Sequence, residues 1–153
     1  MMIKSNKENP VSTIRYRAMS LLARREHSFL ELSQKLNERF PENIELVREI
    51  VVALNNQNLQ SDKRFSEMLV ATRIRRGYGP IRIQVELKQR GVKIDLIDLA
   101  LIESETDWFQ LAKVVMKKKY GLAACDQFDD VVKLKNFLKY RGFKPDHIAA
   151  CFN

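Results

Sequence analysis

Apolar residues recur at three- and four-residue intervals along most of the chain, in stripes separated by short polar or glycine-bearing breaks, the period of amphipathic helices. Ile14, Ala18, Leu21 and Leu22 form one stripe, Phe29, Leu32 and Leu36 a second, and Val47, Ile50, Val51 and Leu54 a third. Ser28, with Glu31 three residues on, reads as the N-cap and capping box of the second helix. Further on, Phe65, Met68, Leu69 and Thr72 make a fourth stripe, Ile83 and Leu87 a fifth, and Leu96, Leu99 and Ile102 a sixth. Gly79-Pro80 opens the fifth helix with proline at its first position, where the missing N–H costs nothing. Gly91-Val92 closes it as a left-handed C-cap with an apolar clasp, and Asp95 is placed to cap the sixth. The last set runs through Trp108, Leu111, Ala112 and Val115 behind Asp107, then Val131, Leu134 and Leu138, then Ile148 and Phe152 behind Pro145-Asp146.

These stripes repeat one phrase. A shift of 51 positions lays Ser28, Leu32, Leu36 and Arg39 on Gly79, Ile83, Leu87 and Arg90. The same shift lays Leu87, Arg90, Gly91, Val92 and Ile97 on Leu138, Arg141, Gly142, Phe143 and Ile148. Upstream of the last phrase the shift falls to 42 and pairs Tyr78 with Tyr120 and Gly79 with Gly121, so residues 122–130 read as an inserted loop. Units of this length cannot bury their apolar faces alone and stack to do so. No alternating run of strand length interrupts them. The expected fold is therefore all-α: three tandem three-helix repeats, 13–61, 62–106 and 107–153, stacked into an elongated, curved array of either hand. Residues 1–12 are expected to be a flexible N-terminus.

Composition changes the picture mainly through charge. The chain of 153 residues is 45% hydrophobic, ordinary for a folded protein, and carries a net charge of +8. The basic residues concentrate between 62 and 93, where Arg73, Arg75, Arg76, Arg82, Lys88 and Arg90 face few acids, and the sign reverses over Asp95, Asp98, Glu103, Glu105 and Asp107. Such a surface attracts nucleic acid, an anionic membrane or an acidic protein. No apolar run approaches the length of a membrane span and the start lacks the apolar core of a secretory signal, so a cytoplasmic chain with Cys125 and Cys151 as reduced thiols is expected.

Catalytic chemistry finds little support. The five glycines do not form a phosphate-cradling loop between strand and helix. His147 and Cys151, four apart, have helical spacing for two metal ligands, but no further ligand is near in sequence and a packed C-terminal helix explains them. The carboxylate pairs read as caps and solvated loop. No enzyme activity, metal or cofactor is expected. The basic helix ends carry more weight: Arg24 and Arg25, then Arg73, Arg75 and Arg76, then Lys117, Lys118 and Lys119. One or two cations would complement a helix dipole; three in each of two copies suit binding of phosphate or carboxylate, and both readings stand at this point.

Residues 73 to 91, Arg-Ile-Arg-Arg-Gly-Tyr-Gly-Pro-Ile-Arg-Ile-Gln-Val-Glu-Leu-Lys-Gln-Arg-Gly, resemble the central signature of the bacterial RecX family. Leu22 to Ser28 with Glu31-Leu32, Asp62-Lys63-Arg64-Phe65, Lys119-Tyr120-Gly121, and Phe137 to Phe143 extend that resemblance over about residues 14 to 152. It departs at Phe40-Pro41, which replaces a glycine C-cap. The resemblance implies a monomeric cytoplasmic regulator of the RecA recombinase that lodges in the RecA filament on single-stranded DNA. It further implies inhibition of extension, ATPase and strand exchange, and so modulation of recombination and the DNA-damage (SOS) response. Candidate contacts to RecA or to DNA phosphate are Arg24, Arg25, Arg73, Arg75, Arg76, Tyr78, Arg82, Lys117, Lys118, Lys119 and Tyr120. The rival class is a stand-alone basic helical DNA-binding module, and a mixed form with weak direct DNA binding lies between them.

Overall fold

A computed structural model describes residues 9–121 and 128–153. Within them the chain is helical without strands: α1 (Pro10–Arg24), α2 (Phe29–Arg39), α3 (Ile44–Asn56), α4 (Asp62–Arg75), α5 (Pro80–Gln89), α6 (Ile94–Glu103), α7 (Trp108–Tyr120), α8 (Phe128–Tyr140) and α9 (Pro145–Ala149), the last followed by a 3-10 turn, Ala150–Phe152. The chain divides into two compact units, Met1–Phe65 and Ser66–Asn153, with the division inside α4.

In the first unit α1, α2 and α3 close over Ile14, Ala18, Leu21, Leu32, Leu36, Val47, Ile50, Val51 and Leu54, the residues their stripes select, with Leu22 and Phe29 packed at the margin. Helix α1 starts at Pro10, earlier than the expected ordered boundary, because Asn9 caps it through Val11 N–H and Pro10 occupies the first turn. Ser28 caps α2 by accepting from the Glu31 N–H at 3.0 Å. The reciprocal half of a capping box is absent: the Glu31 carboxylate, 3% exposed, takes a bidentate pair from Arg25 at 2.8 and 2.7 Å. The Asp62-Lys63-Arg64-Phe65 segment ties back to the α1–α2 turn. Asp62 accepts from the Phe29 N–H at 2.8 Å, relieving an orphan donor at the start of α2, and Arg64 Nε donates to Glu26 at 2.9 Å.

The second unit has two layers of the same construction. Leu69, Val70, Ile83, Leu87, Val92, Ile97 and Ala100 are buried on α4 to α6. Ala112, Val115, Met116, Leu134, Leu138, Phe143 and Ile148 form the core of α7 to α9. Gly91 and Gly142 both carry positive φ, and the N–H groups of Val92 and Phe143 return to Leu87 and Leu138, so the two C-caps are equivalent, as the shift of 51 requires. Asp107 caps α7 through Gln110 N–H at 3.0 Å.

Three expectations are corrected. Asp95 does not cap α6; Lys93 holds that position and Asp95 lies in the first turn, complementing the dipole. The buried face of α6 is Ile97 and Ala100, whereas Leu99 is 37% and Ile102 73% exposed. With seven aliphatic residues among the ten in Ile-Asp-Leu-Ile-Asp-Leu-Ala-Leu-Ile-Glu, periodicity cannot choose the inward stripe. Finally, Tyr78 and Tyr120 are not structural equivalents. Tyr120 is the last residue of α7, with Gly121 its positive-φ cap, whereas Tyr78 lies outside α4, three residues past its end and just after the positive-φ Gly77. Residues 122–127 of the expected insertion, Cys125 among them, lie outside the described residues, and residues 128–130 belong to α8.

Candidate functional site

The second unit places two basic helix ends beside each other. Helix α4 ends at Arg75 and turns through Arg76 and Gly77, with the Gly77 N–H returning to Ile74 and that of Tyr78 to Arg73. Helix α7 carries Lys117, Lys118 and Lys119 in its last turn. Between them runs an open groove of about 380 Å³. Its floor is apolar, from Ile74, Leu111, Val114, Val115 and Phe137. Its rim is cationic, from Arg75, Arg76, Lys118, Lys119 and Arg141.

The rim is braced by rings. Arg82 lies 4.2 Å from the Tyr78 ring centroid and 5.3 Å from that of Tyr140. Arg141 lies 4.9 Å from Tyr78 and 5.2 Å from Phe137, and Lys119 approaches Phe137 at 5.8 Å. Tyr120 meets Phe137 edge-on at 5.8 Å. The sequence Tyr140, Arg82, Tyr78, Arg141, Phe137, Lys119 is thus an alternating ladder of rings and cations. Each step contributes about 0.5–1 kcal/mol where exposed and, more usefully, restricts the rotamers of long side chains. Arg141 also donates to the Arg76 carbonyl at 2.8 Å, tying the end of α8 to the turn after α4.

A second groove, of about 360 Å³, shares Arg76 with the first. Here Arg73, Tyr78, Arg82 and Arg90 surround one carboxylate, Glu86. Arg73 grips it with two donors: Nε at 2.8 Å, and a terminal guanidinium nitrogen to the other oxygen. The Arg73 hydrogen bond, reinforced by the charges of Arg73, Arg90 and Arg82, holds the Glu86 carboxyl below its ordinary pKa, and the Glu86 hydrogen bond raises that of Arg73.

The predicted cations therefore divide. Arg75, Arg76, Lys118 and Lys119 converge on one groove, and Arg76, Tyr78 and Arg82 on the other. Arg73 and Arg25 are each committed to an internal carboxylate. Lys117 is exposed on α7 outside the lining of either groove. Tyr120 acts by bracing Phe137. In the first unit, Arg24 borders a depression with Arg17, Lys35, Glu38 and Arg39. Phe137, Tyr140 and Arg141 were missed as site residues. Their signal in the sequence is the ring-ring-cation grouping at the end of α8, which there carries the repeat match and the family resemblance.

His147 and Cys151 are local structure: His147 Nδ1 accepts from the Lys144 N–H at 3.2 Å, and Cys151 Sγ reaches the His147 carbonyl at 3.4 Å. Among the described residues no group of three or more His, Cys, Asp or Glu could hold a metal ion, and no helix is long and apolar enough to cross a membrane.

Fold and surface together define an all-α repeat protein with an open, cation-rimmed groove in its second unit. The sequence profile described as "RecX, second three-helix domain" matches residues 61–101. Three proteins named "Regulatory protein RecX" match most of the chain. That of Halorhodospira halophila is 38% identical, covering 90% of this chain and 84% of its own. That of Ectopseudomonas mendocina is 40% identical over 93% of both chains. That of Pseudomonas fluorescens is 41% identical, covering 89% and 87%. The crystal structure of RecX from Lactobacillus salivarius superposes with a TM-score of 0.76 at 24% identity, over 93% of this chain and 94% of that one. A second, titled as regulatory protein RecX, gives 0.78 at 24% identity, over 93% and 72%; at these identities the likeness speaks for the fold. The chain belongs to the RecX family of regulatory proteins.

Proposed function

We propose that this protein regulates the RecA recombinase by binding its filament on single-stranded DNA and inhibiting extension, ATP hydrolysis and strand exchange. By that route it modulates homologous recombination and the SOS response. The observation that carries the reading is the meeting of two repeats' basic helix ends, Arg75-Arg76 and Lys118-Lys119, on one groove. Four cations at adjoining helix ends exceed what two helix dipoles require. Displayed together on one compact unit, they suit a large anionic partner, and repeated basic turns suit a polymer presenting equivalent sites at intervals. The protein acts as a monomer in the cytoplasm, through binding and without catalysis of its own.

The test is RecA ATPase activity on single-stranded DNA, with this protein added below stoichiometry to preformed filaments. Inhibition by the wild type, weakened when Arg75, Arg76, Lys118 and Lys119 are all changed to Ala, is the expected result. Absence of inhibition at every dose would remove the reading. A stand-alone DNA-binding module would instead show steeply salt-dependent DNA affinity without RecA, since each neutralised phosphate releases counterions.

A further inference from the structure

We propose that the groove between the end of α4, α7 and α8 is a docking site for an acidic protein segment bearing one or two apolar anchor side chains. This deepens the regulatory reading and rests on it only for which protein supplies the segment; occupancy of the groove is measured with no recombinase present.

The floor supplies the anchor site. Val114 is 48% exposed in the floor, and Ile74 and Leu111 are half-buried beside it, so apolar surface lies open where no neighbouring element among the described residues covers it. A volume of about 380 Å³ is at the small end of ligand-sized clefts, which run roughly from 300 to 1,000 Å³. It suits one or two side chains of a narrow segment rather than the broad face of a folded domain.

The rim supplies the charge selection. Arg75, Arg76, Lys118, Lys119 and Arg141 surround the floor, and no carboxylate is among its described lining residues. Arg141 is held by the Arg76 carbonyl and by Tyr78 and Phe137, so part of the rim is set before anything binds. Carboxylates bracketing an apolar anchor therefore meet a cationic rim that is in part pre-set, the arrangement that gives specificity through charge and affinity through a buried anchor.

The same features disfavour single-stranded nucleic acid as the occupant. Base stacking needs an open aromatic face. The one ring in the lining, Phe137, is already approached by Arg141, Lys119 and Tyr120, and the rest of the floor is aliphatic. A second copy of this chain is the other rival, because the outward side of α6 combines exposed Leu99 and Ile102 with Asp95, Asp98 and Glu103.

The test uses the full chain and a fluorescein-labelled peptide, Glu-Glu-Asp-Phe-Glu-Leu-Glu-Asp, followed by fluorescence anisotropy. Saturable binding is expected. It should weaken at least about tenfold in Val114→Glu, in the Lys118→Glu, Lys119→Glu double variant, and for a peptide with Ser in place of Phe and Leu. Val114, Lys118 and Lys119 are exposed, so each variant should keep the wild-type circular dichroism spectrum. Absence of saturable binding, or equal binding of the Ser peptide, overturns the proposal. So does displacement of the peptide by an oligothymidylate whose own binding is weakened by Val114→Glu. Concentration-dependent self-association in sedimentation, abolished by Val114→Glu, would assign the groove to a second copy and equally overturn it. Loss of RecA inhibition with peptide binding intact would instead count against the filament reading.

Discussion

Gly79 and Gly142 lie backbone against backbone: a Cβ on Gly79 would fall 2.4 Å from the carbonyl carbon and oxygen of Gly142, and one on Gly142 would fall 2.4 Å from Arg82 Cβ. The contact joins the start of α5 to the turn after α8, and two hydrogen bonds secure it. Gly79 N–H donates to the Arg141 carbonyl at 2.8 Å and Ile81 N–H to that of Gly142 at 2.9 Å. Two of the donors that a helix N-terminus leaves orphaned are thus satisfied by the following repeat. Because the approach brings Arg82 and Arg141 to the same tyrosine, it also builds the site.

Gly79→Ala and Gly142→Ala should each destabilise the protein by about 2–4 kcal/mol, since the neighbour in the way is backbone and cannot rotate aside. At roughly 2–4 °C per kcal/mol the thermal midpoint should fall by about 5–15 °C. Gly121→Ala is the control: its φ is positive like that of Gly142, at +74°, but nothing among the described residues lies within 4 Å of its Cβ position. Its cost should be confined to backbone strain, about 1–3 kcal/mol, because φ +74° with ψ −175° is a region essentially reserved for glycine. Thermal melts followed by circular dichroism separate the two cases; equal losses at all three positions would contradict the close-approach explanation.

The cations should sort by consequence. Arg25→Ala removes the bidentate partner of the buried Glu31 carboxylate, leaving Lys35 at 3.9 Å, and should cost about 1–3 kcal/mol in urea unfolding. Arg75, Arg76, Lys118 and Lys119, changed singly to Ala, should stay within about 0.5 kcal/mol of wild type and act only on partner binding. Finding Arg25→Ala neutral to stability would show that its pairing contributes nothing.

For Arg73 and Glu86, both about one-fifth exposed, a double-mutant cycle to Ala should return a coupling of about 1 kcal/mol, at the top of the exposed-pair range because the pair is bidentate and half-buried. Repeating the cycle in high salt should reduce the coupling only in part, since buried pairs are screened less than exposed ones. A coupling indistinguishable from zero would mark Arg73 as available to a partner after all.

Stability should decline on mild acidification. His27, 2% exposed, lies with Nδ1 3.0 Å from the Arg25 carbonyl and Nε2 3.0 Å from Lys35 Nζ, which fits a neutral ring donating from Nδ1 and accepting from the ammonium. Burial, aided by the charges of Arg25 and Lys35, holds its pKa below the ordinary value against the opposing pull of the Arg25 carbonyl and Glu31. Burial, with Lys144, does the same to His147. The unfolded chain therefore binds more protons than the folded one below roughly pH 6.5. The stabilisation is complete above that value and is lost as pH falls through it toward the lowered folded pKa. Urea midpoints measured between about pH 7.5 and about pH 5 should fall with pH, and His27→Gln should flatten but not abolish the slope, leaving the His147 share.

Much of this architecture was legible in the order of residues. Ser28 and Asp107 as N-caps, Pro80 in a first turn, and the Gly91-Val92 and Gly142-Phe143 clasps are set by neighbours within one helical turn, so the chain announces them locally. Where the code was ambiguous it misled: α6 is apolar nearly all round, so only packing selected Ile97 and Ala100. The match of Tyr78 to Tyr120 failed because similar letters stand on opposite sides of a helix end.

The sequence by itself determined the all-α class, the repeat, several of the helix caps and the cationic surplus, because each rests on periodicity, short-range hydrogen bonds or summed charge. Tertiary structure alone decided which cations are spent. Arg73 on α4 reaches Glu86 on α5, thirteen residues on, and Arg141 reaches the Arg76 carbonyl sixty-five residues back once the start of α5 meets the turn after α8 at Gly79 and Gly142. Electrostatic pairing depends on distances of a few ångströms, and in a helical chain such distances across elements exist only after the elements have packed.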